Sequence, residues 1–338
     1  HALLVLLSVR WLALVFGASR CSATLAGAGV CLGTVGSTAF IDLHVDALAV
    51  YLWFPVLLGA SERLHQSSAP AHRLRWAAVA AGALALLLLG SHLRWAAACC
   101  AAWGLWVFVR GLGLRWAVLI SALALAAGAP GYVPYLEHLR DLDLVGNRFS
   151  LLSLPPHERF SFWNLPGWLV AKTSWFGRDF SAGSLLGVAS LLALRHLEGR
   201  HRRLAVFTAL LIAAAISPEL WGLRYLFAPL LVFTHPVNLF YAAVAVLSGS
   251  VLAALGLDRL LSSESPLRRL REDLSGWVAV LAGLLILGVL LKLLPGAELW
   301  QNAQQWRGHL FGVVQALVAL VLAGWLLART SPGRRRDS

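Results

Sequence analysis

Asp42, His44 and Asp46 alternate along the hexapeptide IDLHVD at 41–46, directly ahead of a long apolar run. On extended backbone every second side chain shares a face, so this spacing would present two carboxylates and an imidazole together. A carboxylate placed there suits two tasks: general base toward a hydroxyl, or ligand to a divalent cation such as Mg or Mn that is itself bound to phosphate. The plainer alternative is an interfacial loop bathed in water. A second set is cationic and lies in the segment 131–182: Arg140, Arg148, Arg159, Lys172 and Arg178, the last followed by Asp179. Guanidinium forks match phosphate oxygens and an ammonium supplies a point charge, which fits a clamp on a lipid-linked phosphate. Trp163, Trp168 and Trp175 in the same segment suit stacking on a sugar or lying at the bilayer surface. His92 and Arg94 occupy the tight turn GSHLR, Arg224 precedes a proline-broken apolar run, and His235 and Asn238 flank Pro236 at the head of another. For His235 and Asn238, capping a helix and touching a substrate are both open.

Other chemistries find no footing. The patterns G-x-x-x-x-G-K-[ST], G-x-S-x-G and H-E-x-x-H are absent from the chain, so nucleotide hydrolysis and the familiar hydrolase sites are unsupported. Cys21, Cys31, Cys99 and Cys100 all fall inside apolar runs without metal-ligand spacing and read as small packing residues.

What must position the candidate residues is a membrane scaffold. Hydrophobic residues make up 59% of the chain and charged residues only 13%, a balance foreign to soluble domains. The 15 Trp suit side chains that keep an apolar body in lipid and an N–H at the headgroups. Apolar runs separated by short polar punctuation predict spans near 12–34, 45–60, 76–90, 95–109, 116–130, 183–196, 203–217, 238–257, 277–294 and 308–328. That is an all-α polytopic bundle of about ten to eleven spans, the eleventh being a remnant at residues 1–9. The shorter runs must extend into their polar flanks to cross the hydrocarbon. The run at 220–232, broken by Pro229, reads equally as a half-helix or a span. Residues 1–130 then form an N-terminal set of helices, 131–182 one long outer loop containing short helices, 183–330 a C-terminal set, and 331–338 a basic tail. The chain starts at His1 and contains no Met, so it is expected to lack its true start.

A net charge of +12 invites a nucleic-acid reading, but the distribution points elsewhere. Alternate loops collect the arginines: Arg10, then Arg63 to Arg75, Arg110 and Arg115, Arg195 to Arg203, Arg259 to Arg271, and Arg329 to Arg336. By the positive-inside rule that side is cytoplasmic, which places the C-terminus inside and the Asp42, Arg94 and 131–182 groups outside. No nucleic-acid partner is expected. Arg20, in GASRCS, falls within the first expected span and would need a partner or a route to the interface.

Four blocks give the chain a resemblance to the bacterial YfhO family, placed with the GT-C type glycosyltransferases. They are RWLALVFGASRCSATLAGAGV with LWFPVLLGASERL, then GSHLRWAAACCAAWGLWVFVR, then LALAAGAPGYVPYLEHLRD, then LRYLFAPLLVFTHPVNLFYAAVAVLSGSVLAALGLDRLL. In order and spacing they cover roughly residues 8–261. The resemblance implies an integral-membrane enzyme that transfers a sugar from a polyprenyl-phosphate donor to a cell-envelope acceptor on the outer face of a bacterial cytoplasmic membrane. Its partners would be membrane lipids, the lipid-linked donor and the acceptor. Two departures stand out. The family carries basic residues around the proline knuckle where this chain has His235 and Asn238, and its acidic catalytic motif would fall upstream of His1. A transporter or lipid flippase, which needs facing charges across mid-membrane, and a noncatalytic scaffold in envelope assembly are the alternatives.

Overall fold

The computed structural model describes residues 2–32, 45–91, 93–141, 189–190, 193–194, 197–216 and 239–263. Eight helices stand among the described residues: α1 (Ala2–Val15), α2 (Arg20–Leu32), α3 (Val45–Gln66), α4 (Pro70–Gly90), α5 (Leu93–Arg110), α6 (Leu114–Asp141), α7 (Gly199–Ile216) and α8 (Leu239–Leu261). No strand occurs among those residues. Among the described residues three helices are long and apolar enough to cross a membrane, at Pro70–Gly90 in α4, Leu114–Gly131 in α6 and Tyr241–Leu261 in α8. The expected spans at 277–294 and 308–328, most of 183–196 and the run at 220–232 lie outside the described residues.

The helix ends are written in local chemistry. After α5, Gly111 adopts φ +71°, the left-handed region that glycine enters without a Cβ clash. The Leu112 N–H then donates to Val107 O and the Gly111 N–H to Phe108 O, the paired bonds of a Schellman stop. The same device ends α1: Gly17 has φ +94°, the Ala18 N–H donates to Ala13 O, and the Gly17 N–H donates to Leu14 O. Ser19 opens α2 as its N-cap, its Oγ accepting from the Ser22 N–H at 3.3 Å. Pro70 starts α4 in its first turn, where a missing N–H costs nothing.

The stop at Gly17 corrects the reading of residues 12–34 as one span and residues 1–9 as a remnant. Two helices meet there, and two charges change place. Arg20 is exposed in the first turn of α2 rather than held mid-span. Arg10 lies inside α1 rather than in a loop, donating from Nε to Thr24 Oγ1 of α2 at 3.1 Å. A second difference concerns 131–141, expected as the start of the outer loop: these residues continue α6. Pro130 and Pro134 stand in that helix without ending it, as prolines do in apolar helices whose freed carbonyls find local substitutes.

α1 and α2, and α3 and α4, pack as antiparallel hairpins, α7 packs against α8, and α6 lies along α4. Gly90 at the end of α4 meets Ala49 near the start of α3, and Gly131 of α6 meets Leu89 of α4. The core is built around α8, whose residues from Tyr241 to Ala254 are buried on every face. A Cβ on Gly256 would run into the backbone carbonyl of Ala189, so only glycine allows that approach. Among helices in lipid, close backbone contact and hydroxyl pairs do the work that apolar burial does in water. Thr208 Oγ1 of α7 donates to Ser248 Oγ of α8 at 2.8 Å. Trp106 of α5 sets its ring edge-on between Phe16 and Phe207, at 5.9 and 5.3 Å between centroids, joining α1, α5 and α7.

Candidate functional site

Two ends of this bundle carry polar residues, and they differ in kind. The first gathers the ends of α1, α3, α5 and α8 with the starts of α2, α4, α6 and α7. Its centre is Glu62, whose side chain is 0% exposed. Arg110 closes on it with both arms of the fork, Nε to Oε2 at 2.6 Å and Nη2 to Oε1 at 3.0 Å. Gln66, one turn further along α3, adds a bond to Oε1 at 2.8 Å. A buried carboxylate is expensive to desolvate, and these three donors satisfy it. Ser61, the residue just before Glu62, accepts at Oγ from Trp103 Nε1 at 3.0 Å. His65 stands beside the pair. Burial, then the positive charge of Arg110, hold its imidazole below the ordinary histidine value, with Glu62 pulling the other way. Near neutral pH it is uncharged.

Around this pair the helix ends are sewn together. Arg203 Nη1 donates to Arg110 O at 2.8 Å, Arg200 Nη1 to Val15 O at 3.4 Å, and His201 Nε2 to Phe16 O at 2.8 Å. Asp258, at the end of α8, accepts from both the Ser19 N–H and Ser19 Oγ. Carbonyls and amides that the two glycine stops leave free are therefore met by side chains from α7 and α8. Chemically this end is a closed seam.

The opposite end carries three of the candidate residues from the sequence. Asp46 is the second residue of α3, Arg94 the second of α5 and Arg140 the last but one of α6. The contacts Gly90 to Ala49 and Gly131 to Leu89 fix these three helix ends on one side of the bundle. α6 runs ten residues past Gly131, so it projects beyond its neighbours by roughly 15 Å at 1.5 Å per residue. Asp42, His44, His92, Arg148, Arg159, Lys172, Arg178, Asp179, Arg224, His235 and Asn238 lie outside the described residues. Among the described residues, no three His, Cys, Asp or Glu side chains converge as a metal site. Cys99 is buried as a packing residue, whereas Cys21 is exposed on α2.

Glu62 and Arg110 escaped the sequence reading. The signal was there: a lone acid in LLGASERLHQ near the end of one helix, and a lone base ending the next helix but one. Two hairpins bring those ends together.

The described residues define the class: an all-helical bundle containing helices able to cross a membrane, closed at an arginine-rich end. No protein-family model, curated protein or solved structure matches the chain, so the helices and side chains themselves carry that classification.

Proposed function

We propose that this chain is an integral-membrane, glycosyltransferase-like protein of the bacterial cytoplasmic membrane, transferring a sugar from a polyprenyl-phosphate donor to a cell-envelope acceptor on the outer face. The observation that supports the reading is that the positions of Asp46, Arg94 and Arg140 share the end opposite the closed, arginine-rich seam. By the positive-inside rule the seam faces the cytoplasm and the open end faces outward, with the C-terminus inside. A polyprenyl-phosphate donor keeps its chain in the bilayer and offers its phosphate at that surface. Arg94 and Arg140, with the bases of 142–182, offset the charge of the phosphate leaving group. Asp46 with Asp42 deprotonates the acceptor hydroxyl or holds a divalent cation on the phosphate. The YfhO-like blocks of the sequence support the same assignment. The transporter alternative needs facing charges across mid-membrane, and Arg20, the one charge expected inside a span, stands at the start of α2 instead.

The test is transfer from radiolabelled polyprenyl-phosphate sugars in membranes holding the chain with whatever precedes it in its gene. Replacing Asp46 with Ala is expected to reduce transfer by roughly 100-fold, the lower range for loss of a general base, and Arg94→Ala to reduce it further at limiting donor. Unchanged transfer in both variants would remove these residues from the site, and no transfer by the unaltered protein would remove the reading.

A further inference from the structure

The seam holds more arginine than its own carboxylates can use. Among the described carboxylates, Glu62 is committed to Arg110 and Asp258 to Ser19, Glu198 stands exposed ahead of α7, and two guanidiniums turn outward to aromatic rings instead. Arg75 lies over Trp76 at 5.9 Å from the ring centroid, and Arg115 over Trp116 at 5.7 Å. Both arginines are exposed, both tryptophans are half-buried, and neither arginine has a carboxylate partner among the described residues. The two pairs share one tripeptide, Leu-Arg-Trp, at 74–76 and 114–116.

Their helices put them side by side. α4 and α6 run in the same direction and pack along their length, with Gly131 against Leu89 at the far end. Counting back at 1.5 Å per residue, Arg115 lies about 24 Å from that contact and Arg75 about 21 Å. The two guanidiniums therefore sit at nearly one level. Leu74 is 58% exposed and Leu114 77%, so each arginine is preceded by an apolar side chain that no protein neighbour covers. Phe108, near the end of α5, is 83% exposed. Apolar side chains open to the surroundings, a tryptophan lying at the boundary and a cation with free N–H donors repeat, on two adjacent helices, the layering of a phospholipid from acyl chain to headgroup.

We propose that the Leu-Arg-Trp pairs of α4 and α6 form a binding site for the headgroup of an anionic phospholipid. Arg75 and Arg115 donate to the phosphate oxygens, the Trp76 and Trp116 rings hold the guanidinium planes from behind, and Leu74 and Leu114 meet the first acyl carbons. The charge balance of the seam selects an anionic lipid over a zwitterionic one, because a choline head would bring a second cation among arginines that already lack acids. This site is independent of the sugar-transfer reading and lies at the other end of the bundle.

The experiment uses the whole chain purified in mild detergent, with native mass spectrometry to count bound phosphatidylglycerol and phosphatidylcholine of matched acyl chains. The unaltered protein is expected to favour phosphatidylglycerol. R75Q/R115Q is expected to reduce that preference roughly 30-fold, the value of two basic residues at an anionic surface. R202Q, an exposed arginine of the same seam with no ring contact, is expected to leave it intact. An equal count of the two lipids on the unaltered protein overturns the proposal, as does a preference that survives R75Q/R115Q, or displacement of the lipid by millimolar inorganic phosphate. Should R75Q/R115Q fail to fold, the unaltered protein still decides: the preference must fall steeply with added salt, and a salt-independent preference overturns the site.

Discussion

α8 and α6 are both long and both apolar enough to cross a membrane, yet 78% of the apolar stretch of α8 is buried and only 17% of that of α6. Both are rich in alanine and glycine, so small residues alone do not set the difference. α6 buries one stripe, Ile120, Ala124 and Gly128 a turn apart, toward α4. Its Leu114, Val118, Leu123 and Leu125 are exposed. α8 buries every face, takes a hydroxyl bond from α7 and lets another backbone touch it at Gly256. Apolarity tells a helix which medium to enter, and the distribution of small and hydroxyl side chains around its axis tells it how many neighbours to accept.

The sharpest way to break the contrast is to alter one residue on each helix. Gly256→Leu adds a side chain where a Cβ alone would overlap the Ala189 carbonyl. Backbone cannot step aside as a side chain can, so the loss is expected to exceed about 5 kcal/mol, in the class of exceptional single substitutions. Leu123→Ala on α6 trims an exposed side chain and is expected to change stability by no more than about 0.5 kcal/mol. Unfolding in mild detergent titrated with sodium dodecyl sulfate measures both. Similar losses in the two variants would mean that burial does not distinguish these helices.

If packing does not hold α6 on most of its faces, its tether matters more. α6 leaves α5 through Gly111, Leu112 and Gly113, directly after Arg110. Arg110 is fixed at both its groups, by Glu62 at the side chain and by Arg203 at the carbonyl. Arg110→Ala strands the fully buried Glu62 carboxylate, and breaking such a pair costs about 3–5 kcal/mol. Replacing both partners with Met is expected to restore stability to within about 1 kcal/mol of the unaltered protein. A double variant as unstable as Arg110→Ala would show that the pair does more than satisfy its own charges.

Helix identity was legible where polar punctuation was plain. α4, α5, α7 and α8 follow the predicted cores, each lengthened into its polar flank. The break between α1 and α2 was hidden because FGAS looks like apolar run to a hydropathy average, although Gly17 followed by Ser19 is a stop and a cap in sequence. α6 passed through Pro130 because a proline inside an apolar helix bends a rule that holds in water. At the opposite end, Asp46, Arg94 and Arg140 stand out in the sequence by type and by nearness to helix ends. Glu62 was passed over because its partner stands 48 residues away, a pairing that only the two hairpins create.

The smallest expected effect tests the seam by proton rather than by substitution. His65 binds its proton less readily in the folded protein than in the unfolded chain, because burial and Arg110 oppose the charge. Above the ordinary histidine value of 6.5 both states leave it neutral and it contributes nothing. As pH falls below that value the unfolded chain takes up a proton that the folded protein resists, so stability declines toward acid. His65→Asn removes that proton uptake, and its stability is expected to fall less steeply between about pH 7 and about pH 5 than that of the unaltered protein. The comparison with α6 enters through Arg110: in the variant lacking that guanidinium, the largest of the charges that oppose protonation is gone and the histidine-dependent slope should shrink. Slopes that match with and without His65 would place the acid sensitivity of the seam on another group.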